Sequence, residues 1–369
     1  MELDVTLVAQ ATEKCNLDCD YCYLAKKRLK RDMNIDVAEL LIKSFIEHNN
    51  QFAHFTWAGG EPLLRKNDFW QDIINIGEHY NKKGLELSHS IQTNGLLLTK
   101  NRHKELTDMG FKIGSSFDGC LELQDLNRKS KGGKDVGQSI LENIVALEGD
   151  TGLISVLTKD MVGKEEEVYK NLRELSQKAR VNFFVPSGEG LENSEDLLPG
   201  KEESYLSMKK FYELWKNDES DFILNPFSSM VRGLFLGWVK TCDFSSYACY
   251  RILGANPVGE LFLCSRSANI PETIIGNITE TGLQEIVGSE RHQIILDRFV
   301  NLEKGECDGC DYLPYCSGGC PIEALSYSGN FMDKTYYCET RKGLFDLILG
   351  DLNTENGRSR LQEKVGMLE

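Results

Sequence analysis

The feature that most restricts the fold is an alternation. From the N-terminus to about residue 216, short apolar runs of strand character take turns with stretches whose apolar residues recur at helical spacing. The strand-like runs cover residues 5–8, 54–57, 85–91, 111–117, 153–157 and 181–185. Helical patterns follow them at 37–48, 69–80, 101–109, 138–148, 164–178 and 204–216. Asp36-Val37-Ala38-Glu39 reads as a capping box, and Gly84 and Gly110 read as helix stops. Six βα units predict an α/β chain with a parallel sheet, helical cover and right-handed crossovers. Periodicity alone leaves an open sheet and a partial barrel both allowed. In either case ligands meet the carboxyl ends of the strands.

Three patterns fall at those ends and are expected to converge on one mouth. Cys15, Cys19 and Cys22 form a CxxxCxxC run after the first strand, Gly59-Gly60-Glu61-Pro62 follows the second, and Gln92-Thr93-Asn94-Gly95 ends the third. Three thiols within eight residues can grip three irons of a cubane cluster, leaving the fourth iron open to a small molecule. A structural zinc site would instead pair two knuckles and close with four ligands, and this run has three.

Around 219–238 the alternation stops. Residues 240–349 hold eight of the twelve cysteines. Cys249 and Cys264 flank a turn at Asn256-Pro257-Val258-Gly259 that is followed by a strand signal at 261–263. Cys307-x2-Cys310-x5-Cys316-x3-Cys320 makes a tight nest, and Cys338 follows. With Cys242 these are eight thiols, enough for two fully ligated four-iron clusters or for zinc ribbons, and the first motif favours iron. Cys120 has no cysteine nearby and reads as an ordinary packed thiol. The expected division is a βα domain at 1–218, a helical linker at 219–239, a cysteine-rich domain at 240–350 and a polar tail, a frayed helix, at 351–369.

Acidic residues outnumber basic ones, 57 to 42, for a net charge of −15. That balance repels phosphate backbones and anionic lipid, so neither nucleic acid nor a membrane is an expected partner. A local basic run, Lys26-Lys27-Arg28-Leu29-Lys30-Arg31, reads as a solvated face or a place to meet an anionic substrate. No stretch of about 18 apolar residues occurs, and Met1-Glu2-Leu3-Asp4 lacks signal-peptide character. The chain therefore reads as cytoplasmic, where twelve cysteines are expected as metal ligands rather than disulfides.

Taken together, Cys15-x3-Cys19-x2-Cys22 and the later cysteine nest resemble the radical S-adenosylmethionine (radical SAM) enzymes with a SPASM auxiliary iron–sulfur domain, among them maturases of ribosomally made peptides (RiPPs) and anaerobic sulfatase maturases. The resemblance runs from Cys15 to Cys338. It implies a partial (β/α)6 TIM-like barrel followed by a small SPASM domain, with S-adenosylmethionine and three [4Fe–4S] clusters as cofactors. Cys15, Cys19 and Cys22 would hold the cluster whose open iron chelates the methionine end of S-adenosylmethionine. Tyr21 would lie near adenine, and Gly59, Gly60, Glu61 and Pro62 would meet the cofactor's amino group. Ser116 and Arg128 match positions that contact the ribose and the methionine carboxylate; read plainly, they are a strand-end residue and a surface ion-pair former. Cys242, Cys249, Cys264 and Cys320 would hold one auxiliary cluster, and Cys307, Cys310, Cys316 and Cys338 the other. Of these, Cys242 lies outside the family's seven-cysteine core pattern.

The implied chemistry is reductive cleavage of the sulfonium to a 5′-deoxyadenosyl radical, which takes hydrogen from an unactivated carbon. The implied partners are a precursor peptide and an electron donor such as a flavodoxin or ferredoxin. The leading expectation is a peptide maturase that installs a carbon–carbon, ether or thioether crosslink, with Gly188, Gly190 and the loop 187–201 framing an extended chain. The motif starts at Cys15, which leaves no room upstream for a leader-binding domain of roughly 80–90 residues. The runner-up is formylglycine formation as in the anaerobic sulfatase maturases. Those enzymes carry an aspartate after the cysteine matched by Cys264, where this chain has Ser265. Radical oxidation of a small molecule is a further alternative, and a non-catalytic metal-binding protein is the reading from another class. Asp118 and Glu189 are the candidates for a catalytic base.

Overall fold

The computed structural model describes residues 4–24, 29–239 and 241–367. Lys26, Lys27 and Arg28 of the basic run lie outside them. Among the described residues the strands are β1 Thr6–Gln10, β2 Leu17–Cys19, β3 Phe52–Ala58, β4 Glu86–Thr93, β5 Phe111–Ser116, β6 Arg128–Ser130, β7 Gly152–Leu157, β8 Lys178–Phe183, β9 Ile223–Asn225, β10 Ile252–Ala255, β11 Glu260–Phe262 and β12 Ile274–Asn277. Ten of them form one sheet in the order β12-β11-β10-β1-β3-β4-β5-β7-β8-β9. Every neighbouring pair from β10 to β9 is parallel, whereas β11 pairs antiparallel with both β10 and β12. The outermost strands, β12 and β9, do not pair with each other, so the sheet is open. It is an α/β fold built on a parallel sheet.

The six expected strands correspond to β1, β3, β4, β5, β7 and β8, each followed by a helix: Ile35–His48, Asn67–Tyr80, Lys100–Asp108, Gly137–Val145, Glu165–Leu175 and Lys201–Asn217. The first helix starts earlier than the sequence pattern implies. Its cap is Asn34, whose side chain accepts from the Asp36 amide, in place of a box opening at Asp36. Two-residue periodicity then sorts the strand side chains. Leu7, Ala9, Phe55, Trp57, Ile91 and Ile113 are buried in one apolar cluster with the first two helices. The alternate positions are polar and bond across strands, as in Thr56 with Ser90 at 2.9 Å and Gln92 Nε2 to Ser116 Oγ at 3.3 Å. Gly114 leaves room for Gln92, whose Oε1 would lie 2.5 Å from a Cβ there.

The far half of the sheet has its own core, in which β7, β8 and β9 pack with helices Glu165–Leu175, Lys201–Asn217 and Cys338–Leu352. The tail is not frayed. Glu355–Lys364 is a helix whose Leu361 is buried and whose Arg360 donates to the carbonyls of Lys216 and Asn217 at 2.6 and 2.8 Å.

Candidate active site

Residues 11–24 leave β1 and are held in place from several directions. Their centre, β2, forms an antiparallel ribbon with β6 that sets Cys19 directly opposite Arg128. Gly190 N donates to Cys22 O at 3.1 Å, Asn193 Nδ2 to Asp20 O at 2.9 Å and Asn269 Nδ2 to Tyr23 O at 2.9 Å. Gly188 and Gly190 therefore serve the cysteine loop. A Cβ on Gly188 would lie 2.4 Å from Tyr23 O, and the segment 187–201, expected to frame a peptide, contains two short helices, Glu189–Glu192 and Ser194–Leu197.

Cys15, Cys19 and Cys22 line one cavity of about 270 Å3 at the carboxyl ends of β3, β4, β5, β7 and β8. Its walls include Tyr21, Gly59, Gly60, Ser116 and Arg128 from the sequence-derived set, and also Asn94, Asn182, Phe184 and Arg266. Cys15 Sγ accepts from Leu17 N at 3.4 Å and Asn94 Nδ2 at 3.8 Å. Burial pushes the Cys19 thiol's pKa well up, the Arg128 charge opposing. Metal would have to displace that proton, as thiolate ligation requires. Among the described residues no three such side chains converge on the position of a single ion. Three thiols lining one cavity, one of them accepting from Leu17 N and Asn94 Nδ2, fit the ligand set of a cluster that keeps one iron open.

Two members of the Gly-Gly-Glu-Pro run stand apart from that wall. Glu61 and Pro62 are buried beside it. The Glu61 carboxylate accepts from Leu63 N at 2.8 Å, Thr93 Oγ1 at 2.7 Å and Asn94 N at 2.8 Å. It ties the end of β3 to the end of β4, and burial raises its pKa against the pull of those donors. Gly60 has φ +54°, and a Cβ there would lie 2.4 Å from the carbonyl oxygens of both Thr12 and Lys14. Only a glycine lets the strand end approach the cysteine loop so closely.

Asp118 is 2% exposed and fully engaged rather than an open loop carboxylate. It accepts from Tyr21 OH at 2.5 Å and from Arg128 Nε at 2.9 Å. Arg128 lies over the Tyr21 ring at 4.9 Å and is itself buried, not a surface ion-pair former. The neighbouring Asp118, Tyr21 and Cys19 hold the guanidinium charged against its burial. Neither Asp118 nor Glu189 lines the cavity, and among the described residues no Asp, Glu or His lines it.

The other eight thiols sort into two groups. After burial, the strongest influences on Cys249 come from Cys320, Cys264 and Cys242. Cys316 is pushed up to about 12, again by burial, with Arg341 opposing and Cys338, Cys307 and Cys310 adding to it. The turn between Cys316 and Cys320 has Ser317, Gly318 and Gly319 all left-handed, at φ 50°, 70° and 76°, which sends its two end cysteines to different groups. Asp243, next to Cys242, is bonded by Arg180 at 2.6 Å and lies 3.6 Å from Arg266, the residue that joins this group to the cavity wall. Cys120 is buried apart from both groups.

Among known proteins, residues 10–175 match the Radical SAM superfamily. The chain is 25% identical to the cysteine-type anaerobic sulfatase-maturating enzyme of Clostridium novyi over 364 residues, covering 94% of this chain and 95% of that protein. In fold it is similar to native anSMEcpe with bound AdoMet and Cp18Cys peptide (TM-score 0.82, 20% identity, 97% of this chain and 100% of that chain). A more distant likeness is to Streptococcus suis SuiB bound to precursor peptide SuiA (TM-score 0.67, 14% identity, 92% of this chain and 76% of that chain). A radical SAM domain implies a [4Fe–4S] cluster and S-adenosylmethionine. The chain thus carries a radical SAM domain at residues 10–175 and is similar, along nearly its whole length, to anaerobic sulfatase-maturating enzymes.

Proposed function

We propose that this radical SAM enzyme is a peptide maturase that takes hydrogen from a side-chain carbon of a ribosomally made precursor and installs a carbon–carbon, ether or thioether crosslink. The observation that carries this reading is the make-up of the cavity, which among the described residues has three thiols, the guanidiniums of Arg128 and Arg266, and no carboxylate. When bound, the cluster on Cys15, Cys19 and Cys22 together with S-adenosylmethionine supplies one-electron chemistry that removes hydrogen from an unactivated carbon.

The chain's own residues position and shield. Arg128, fixed by Asp118 and the Tyr21 ring, would offer its charge to the cofactor's carboxylate. Ser116, held by Gln92, would face the ribose, and backbone at Gly59 and Gly60, which line the same cavity, would meet the amino group. Phe183, Phe184 and Val185 keep water from the reacting carbon. The two further cysteine groups would hold auxiliary clusters, three clusters in all, able to take up the electron released as the new bond closes, with a flavodoxin or ferredoxin as external donor.

Overall likeness favours a second reading, formylglycine formation, since the relatives at 25% identity include cysteine-type sulfatase-maturating enzymes. Against it stands Ser265, whose hydroxyl bonds Cys264 and leaves no carboxylate at that position. The test is anaerobic reconstitution, reduction with dithionite, and incubation with either a candidate precursor peptide from a short reading frame sought beside this gene or a sulfatase peptide bearing Cys or Ser. Mass spectrometry should find a crosslink in the former. Formylglycine in the latter, with the precursor untouched, overturns the reading.

A further inference from the structure

Arg298, on helix Glu290–Glu303, is 0% exposed. Its guanidinium donates to four backbone carbonyls: Phe331 at 2.8 Å, Asp333 at 2.8 Å, Gly318 at 3.1 Å and Gly319 at 3.3 Å. Among the described residues it makes no ion pair. The two other buried arginines near the thiols each have one, Arg128 with Asp118 at 2.9 Å and Arg341 with Glu323 at 3.0 Å, and so do the half-buried Arg180 and Arg266, with Asp243 at 2.6 and 3.6 Å. An arginine stays protonated in a protein, so Arg298 is a buried full charge answered only by dipoles.

Its position indicates what answers it. Gly318 and Gly319 are the middle of the left-handed turn that joins Cys316 to Cys320, one thiol from each auxiliary group. A Cβ at Gly318 would lie 2.4 Å from Leu302 Cδ1, and one at Gly319 2.3 Å from Thr335 Cγ2, so the turn is seated tightly with its carbonyls on the guanidinium. Burial acts against the Arg298 charge, and the groups favouring it are Cys249 and Cys320 from one set and Cys307 and Cys316 from the other.

We propose that Arg298 is the shared counter-ion of the two auxiliary cysteine sets, making both of the clusters they hold easier to reduce. This rests on the reading of those eight thiols as ligands of two four-iron clusters. Such clusters carry net negative charge when ligated by four thiolates, and each reduction adds one more negative charge. A fixed guanidinium in a low-dielectric interior stabilises the reduced form and raises the potential.

The test uses the full chain with Cys15, Cys19 and Cys22 replaced by alanine, reconstituted anaerobically with iron and sulfide, so that only the auxiliary sets contribute. Iron is counted, and the potential is followed by electron paramagnetic resonance during titration with dithionite. Arg298→Gln should lower both auxiliary potentials by about a tenfold change in the reduction equilibrium, about 59 mV for one electron. Arg298→Lys should stay near the parent. Unchanged potentials in loaded Arg298→Gln overturn the proposal. If Arg298→Gln fails to fold or load, Arg298→Lys decides: loading with a near-parent potential supports the charge role, and failure of both overturns it in favour of hydrogen bonding alone. A parent with far fewer than about eight irons per chain would refute the two-cluster reading itself, a result distinct from an unmoved potential.

Discussion

Asp118→Asn isolates the arrangement on which the orientation of Arg128 depends. The carboxylate accepts from Tyr21 OH at 2.5 Å and from Arg128 at 2.9 and 3.4 Å. Both side chains of the ion pair are almost fully buried, at 2% and 7% exposure. An asparagine keeps the shape, removes the charge and turns one N–H toward a donor. Breaking a buried pair from one side costs about 3–5 kcal/mol, because the remaining ion stays desolvated. For a chain of this size about 2 °C of melting temperature is lost per kcal/mol, giving a fall of about 6–10 °C. The assay is a thermal melt of wild type, Asp118→Asn, Arg128→Met and the double variant, under one set of cluster-loading conditions. The double variant should be more stable than the sum of the single losses implies by about 2 kcal/mol, since neither ion is then left alone. A melting temperature within about 1 °C of wild type for Asp118→Asn, or strict additivity, would refute the reasoning.

Burial holds the His89 pKa down to about 4, from 6.5. The unfolded chain takes up a proton that the folded chain refuses, so stability is full above pH 6.5 and falls as pH drops toward 4, by about 3 kcal/mol in all. Chemical denaturation across that window should show the slope, and His89→Gln should flatten it; an unchanged slope contradicts the assignment. Asn49 bonds Val5 N, Val5 O and Phe52 O, each at 2.8 Å. Asn49→Ala should cost about 3 kcal/mol, at about 1 per lost bond, read as a lower urea midpoint. Gly60→Ala forces a methyl against two carbonyl oxygens ahead of Cys15, so reconstituted protein should lose up to about four irons per chain. Full iron content would show that the cysteine loop can move aside.

Where an element buries one face, its pattern was legible: the strands containing Phe55 and Trp57 or Leu153 and Leu157 repeat at two, and their helices at three and four. The β2–β6 ribbon escaped notice because three-residue strands, Leu17-Asp18-Cys19 and Arg128-Lys129-Ser130, carry no periodicity and form only through long-range pairing. Likewise β10 is four residues long, and nothing in Ile252-Leu253-Gly254-Ala255 tells that it pairs with β1. The last helix looked frayed because few apolar side chains anchor it, while Arg360 and Arg358 bond backbone carbonyls. In the site, spacing picked out the first three cysteines and the later nest, but the division of the eight later thiols into two groups came from the family resemblance, since Cys316 and Cys320 are neighbours in sequence and part at the left-handed turn between them. Motif chemistry gave residue types without directions: Glu61 turns inward to brace two strand ends, and the Asp118 partner stands ten residues away at Arg128.

The most direct measurement is formation of 5′-deoxyadenosine from S-adenosylmethionine by anaerobically reconstituted protein, with metal content determined on the same sample. Iron with sulfide and dithionite-dependent product in wild type, with product abolished when Cys15, Cys19 and Cys22 are all replaced by alanine, is the predicted result. Zinc in place of iron, or product that survives loss of those three thiols, would contradict it.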